Sequence, residues 1–129
     1  MLHGGHVIKA WSRTQASVAL SSGEAELYAL VKASVETLGL RTLAAEMGAT
    51  RTGTLCTDSS AAKGAVQRSG TGRMKHIDAQ HLWVQEMASR GKLAYHKIPR
   101  EQNYGDLFTK HWETNFAENM FQNIGLVRV

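Results

Sequence analysis

The sequence predicts an α/β fold in which a sheet is covered by helices. Three observations carry this. The apolar run Leu55-Cys56-Thr57 ends in Asp58 and passes at once into a helix start, Ser59-Ser60-Ala61-Ala62. A capping signal, Ser21-Ser22-Gly23-Glu24, opens a long stretch with apolar residues at helical spacing. Strand-like and helix-like segments then alternate along the chain, which argues for layers.

Taken in order, 6–12 clusters Val7, Ile8 and Trp11 between polar residues and reads as a strand, with Trp11 offering it a large face to bury. The Ser-x-x-Glu spacing lets serine and glutamate each satisfy a free amide, so a helix is expected over 22–47. Leu27, Leu30, Val31, Val35 and Leu38 form its buried stripe, Gly39 offers a break and Gly48 stops it. At roughly 100° per residue Glu26 lies about 40° from Leu30, where it can lean toward a sheet. A strand at 55–57 follows, then a helix over 60–67 and a polar, glycine-punctuated loop from Arg68 to Arg73. Lys75 to Arg90 reads as a helix with Ile77, Leu82, Val84 and Met87 as apolar positions and Gly91 as its stop. Leu93 to Ile98 reads as a strand closed by Pro99, 103–112 as a short helix, and 113–124 as a last helix packing back on the body.

The 129 residues are one domain's worth, with 43% hydrophobic and 20% charged residues, as in an ordinary globular protein. There is no internal repeat or linker, no apolar run long enough to span a bilayer, and no signal-peptide pattern at Met1–His6. The expectation is an intracellular protein that does not meet a membrane. Cys56 is the single cysteine and is expected to pack as a small buried thiol. A net charge of +4 leans toward a polyanionic partner.

Three carboxylates stand where chemistry can be arranged: Glu26 on the long helix, Asp58 at a strand's carboxyl end, and Asp106 near the start of a short helix. Ligands bind outside the carboxyl ends of strands in open α/β sheets, and carboxylates from separate segments suit Mg²⁺ and the hydrolysis of a phosphodiester. Each has a plainer reading. Asp58 or Ser59 can cap the next helix, Glu26 can be a solvated helix residue, and Asp106 can favour a helix dipole. Arg68, Arg73, Lys75 and His76 form a basic segment able to grip phosphates or simply to stay solvated. His76 and His81 stand five apart and share a helix face poorly, which disfavours zinc.

Several segments together resemble a known family. They are Trp11-Ser12-Arg13-Thr14-Gln15, Ala19 to Leu30, Thr57-Asp58-Ser59, Lys75-His76-Ile77-Asp78 with His81, and Gly105-Asp106-Leu107-Phe108-Thr109-Lys110. In this order, over about 5–112, they resemble the ribonuclease H domain of copia-type retrotransposon Pol polyproteins. The resemblance implies an RNase H-like layered fold, a mixed sheet covered by helices, filling 1–129 as a single partial domain. It implies hydrolysis of the RNA strand of RNA–DNA hybrids by two Mg²⁺ ions, with Mn²⁺ as a substitute. Glu26, Asp58 and Asp106 match the family's metal-binding, catalytic acids, and Glu24 matches a capping residue. Arg68, Arg73, Lys75 and His76 are the expected nucleic-acid contacts, and the rest of a Pol polyprotein is an expected partner.

The chain departs from the family in three places. No aspartate precedes Asp58, so the family's first one or two strands and its first metal-binding aspartate are expected to be missing. No histidine stands between Pro99 and Asp106, and Gly105 replaces an alanine, weakening that helix start by up to about 1 kcal/mol. Without the first acid the chain alone is expected to be weak or inactive, and the strand at Leu55 to expose an open edge that invites self-association. The rival expectation is a non-catalytic remnant binding nucleic acid through its 68–76 loop.

Overall fold

The protein is a mixed α/β structure with small sheets. The computed structural model describes residues 1–15, 18–70, 79–108 and 111–126. The chain falls into two compact units, Gln15–Pro99 and Met1–Thr14 with Arg100–Val129.

In the larger unit α1 (Ser22–Glu46) is followed by β3 (Gly53–Thr57), α2 (Ser60–Gln67), α3 (Ala79–Ser89) and β4 (Leu93–Lys97). The strands numbered β1 (Leu2–His3) and β2 (His6–Val7) belong to the smaller unit. β3 and β4 pair in parallel, with Gly53 opposite Leu93 and Thr57 opposite Lys97. Leu55, Leu93 and Tyr95 turn inward onto Leu27, Leu30 and Val31 of α1, Ala62, Ala65 and Val66 of α2, and Val84 of α3. These residues are the unit's core, and the apolar spacing within each helix is what puts them on one side.

The long helix forms as its cap and stripe predict. It runs through Gly39 without a break, and Gly48 follows it at φ +78°. One stripe position differs. Val35 is 54% exposed, and Ser34 is buried in its stead. The Ser34 hydroxyl donates to the Leu30 carbonyl at 2.7 Å and meets the Tyr95 hydroxyl, so a polar residue is satisfied inside the core.

In β3 the expected burial of Cys56 is reversed. β3 alternates strictly, with Gly53, Leu55 and Thr57 buried and Thr54 and Cys56 exposed. Cys56 therefore lies on the open face of the sheet and is no core thiol. Ala94 and His96 stand opposite Thr54 and Cys56 and are exposed with them. Parallel sheets are usually covered on both faces. Among the described residues of the larger unit this one is covered on one face, and β3 pairs with β4 alone, leaving the expected open edge.

In α3, Leu82 is 43% exposed while His81 is buried, so the expected apolar position is taken by its neighbour. Ile77 and the expected first turns of this helix fall outside the described residues. Gly91, at φ +63°, ends the segment as expected.

In the smaller unit β1 and β2 form a hairpin turned by Gly4 and Gly5, both at positive φ. The strand expected over 6–12 is thus only His6–Val7. Trp11 remains exposed, with the Lys9 ammonium 5.5 Å from its ring centre. The short helix expected over 103–112 is instead two 3-10 turns, Arg100–Gln102 and Tyr104–Phe108. The cause is local. The Asn103 carbonyl accepts from the Asp106 N–H, three residues on, and its side chain accepts from the Gly105 N–H. α4 (Thr114–Asn123) closes the unit, and its Met120 packs with Leu107 and Ile124 in a core of their own.

Candidate functional site

The carboxyl end of β3 is built by a relay of short polar side chains. The buried Thr57 hydroxyl accepts from the Ser59 N–H at 3.1 Å, and the Ser59 hydroxyl accepts from the Ala62 N–H at 3.1 Å. Ser59, and not Asp58, is therefore the cap of α2. The half-buried Asp58 sits between them, at the strand end, outside the capping bonds.

A second cap shapes the start of α1. Ser21 Oγ accepts from the Glu24 N–H at 3.2 Å, and Glu24 Oε2 accepts from the Leu20 N–H at 2.9 Å. The reciprocal bonds bury Glu24 to 2% exposure. A Cβ added at Gly23 would stand 2.8 Å from the Ala61 Cβ. The first turns of α1 and α2 are thus in close contact, which sets Glu26 and Asp58 on two adjoining helix starts. Glu26 itself is exposed, correcting the expectation that it leans toward the sheet. Glu24, Leu27 and Leu30 occupy the inward face, leaving position 26 on the outward flank.

Asp106 belongs to the smaller unit. Its side chain is 14% exposed, with Arg100 Nε 3.8 Å from Oδ2, and its carbonyl accepts from the Trp112 indole N–H at 3.0 Å. Among the described residues no three or more His, Cys, Asp or Glu side chains gather into a group able to hold a metal ion.

Of the basic segment, Arg68 is half-buried at the end of α2, and its Nε has no hydrogen-bond partner among the described residues. Arg73, Lys75 and His76 lie outside the described residues, as does Asp78. His81 packs edge-on against the Tyr28 ring, with ring centres 4.9 Å apart.

Sequence reasoning missed Gln85. Its side-chain amide donates to the carbonyls of Ala65 and Gly70, both at 2.8 Å, and its oxygen accepts from the Gly70 N–H at 3.0 Å. A glutamine inside a helix carries no local signal of such a role, because its partners are 15 and 20 positions away.

The chain is 30% identical over 124 residues to the retrovirus-related Pol polyprotein from transposon TNT 1-94 of Nicotiana tabacum, a match covering 95% of this chain. It spans 9% of that polyprotein's length. No protein-family model matches the chain, and no solved structure matches it significantly. The similarity supports a retrotransposon Pol origin.

Proposed function

We propose, from that Pol origin, that the chain is part of an RNase H-like domain whose parent polyprotein hydrolyses the RNA strand of RNA–DNA hybrids. The observation that carries the reading is the division of roles between neighbouring residues at two helix starts. Glu24 and Ser59 make the capping bonds, and this leaves Glu26 and Asp58, two of the three acids the family resemblance singles out, outside those bonds on adjoining helix starts. The open edge of β3, where a further strand can pair, supports the same reading.

The described side chains do not by themselves make up a metal site. In the parent, Mg²⁺ would supply water activation and charge stabilisation. Glu26, Asp58 and Asp106 are the acids of this chain that we assign to holding it. Arg68, Arg73, Lys75 and His76 are the residues we assign to phosphate contacts, where they would supply affinity without sequence preference.

The test is cleavage of a labelled RNA–DNA hybrid in Mg²⁺ by this chain and by a version extended upstream with the polyprotein segment that carries an aspartate-ended strand. Cleavage that Asp58→Asn abolishes is expected in the extended protein. Cleavage indifferent to Asp58→Asn, or none in either protein, overturns the reading. Metal-independent, salt-sensitive binding without cleavage would favour a binding remnant.

A further inference from the structure

β4 presents an unpaired edge within the larger unit, since among the described residues its sheet partner is β3 alone. The Ile98 N–H donates to the Thr57 carbonyl at 2.9 Å, toward β3. Main-chain direction alternates along a strand, so the N–H and C=O groups of Leu93, Tyr95 and Lys97 turn to the outer side. A groove of about 870 Å³ runs along that side. Its walls include Tyr95 from the covered face of the sheet and His96 from the open face, so it follows the edge and not either face.

The lining suits an extended segment with a negative charge. Val66 and the exposed Leu82 supply apolar surface, and Gln85 fixes the rim by its bonds to Ala65 and Gly70. Arg68 supplies the charge, and its Nε is shut off from solvent with no hydrogen-bond partner among the described residues. Glu86, on the same wall, is engaged by Arg90 at 2.7 Å. A guanidinium on the groove wall is met best by a carboxylate.

We propose that the outer edge of β4 takes up an extended acidic peptide segment of a protein partner by strand addition, with one carboxylate on Arg68. Main-chain bonds to the edge supply affinity, and Arg68 selects the charge. This site shares Arg68 with the proposed phosphate contacts, and a peptide assay free of nucleic acid tests it separately from that reading.

The probe is a panel of fluorescein-labelled octapeptides of alternating threonine and valine, each with one aspartate at a different central position, and a lysine-bearing set as control. Fluorescence anisotropy is expected to show binding for an aspartate peptide and not its lysine counterpart. Arg68→Gln should weaken it by about tenfold. Lys97→Pro removes an outward N–H without touching the pairing to β3, and should abolish binding while far-UV circular dichroism stays unchanged. Should that variant unfold, N-methylation of alternate residues in the best peptide makes the same test on the intact protein. Absence of binding by any aspartate peptide overturns the proposal. So does binding that survives both the proline and the N-methyl changes, or a dimer in sedimentation that Lys97→Pro dissolves.

Discussion

The hydroxyl of Ser34 on α1 stands 2.9 Å from the hydroxyl of Tyr95 on β4, and both side chains are buried. This bond joins residues 61 positions apart and ties the long helix to the second strand. Burial raises the Tyr95 pKa above its ordinary value near 10, and the hydrogen bond with Ser34 acts in the opposite direction.

Ser34→Ala should lower stability by about 1–3 kcal/mol, because it leaves a phenol buried without its partner. Adding Tyr95→Phe should recover part of that loss. A double-mutant cycle by urea denaturation measures the coupling. Strict additivity would mean that the two hydroxyls do not support each other.

The same pair sets an alkaline limit. A phenol whose folded pKa is raised keeps its proton while the unfolded chain loses its own, so stability is intact below pH 10 and falls as pH rises through the folded value. Cys56, raised above 9 by desolvation, acts in the same direction from a lower pH. Urea midpoints across this range should decline in the natural protein. They should decline less in the Tyr95→Phe, Cys56→Ser double variant.

Glu24 and Glu26 of α1 should separate cleanly. Glu24→Ala removes the acceptor for the Leu20 N–H and should cost about 1 kcal/mol. Glu26→Gln, on the exposed flank, should shift the thermal midpoint little while impairing hybrid cleavage by the extended protein. Equal losses of stability would show that Glu26 is a structural residue.

Cys56 should react with a soluble disulfide reagent without prior unfolding. Its raised pKa makes the reaction slow near neutral pH and faster as pH climbs. Protection in the folded protein that urea removes would contradict the open face of the sheet.

Gly53 is a packing position. A Cβ there would come within 2.5 Å of Thr37 Cγ2 and 2.8 Å of Leu93 Cδ2, so Gly53→Ala should destabilise by about 1–3 kcal/mol in urea titration.

Much of the fold was legible because the signals are local. The bounds of α1, α2 and β4 follow from caps, apolar spacing and a closing proline, all interactions within a few residues. The helix expected at 103–112 failed for an equally local reason, the Asn103 turn, which spacing of apolar residues does not reveal. Of the site, the sequence pointed to Asp58 and Glu26 as acids at element ends. It left open whether Asp58 or Ser59 caps α2, because both side chains can accept the bond and only their placement decides.

By itself the sequence determined where α1, α2 and β4 start and stop, through the caps and stop residues at their ends. Tertiary structure alone decided which residues became interior. Ser34 is buried because Tyr95 meets it there, and Val35 is exposed because none of the described elements covers it. Cys56 and Leu82 are left outside for the same reason. An apolar side chain is buried only if another element arrives to exclude water from it, and that arrival is set by contacts tens of residues apart, which no local pattern encodes.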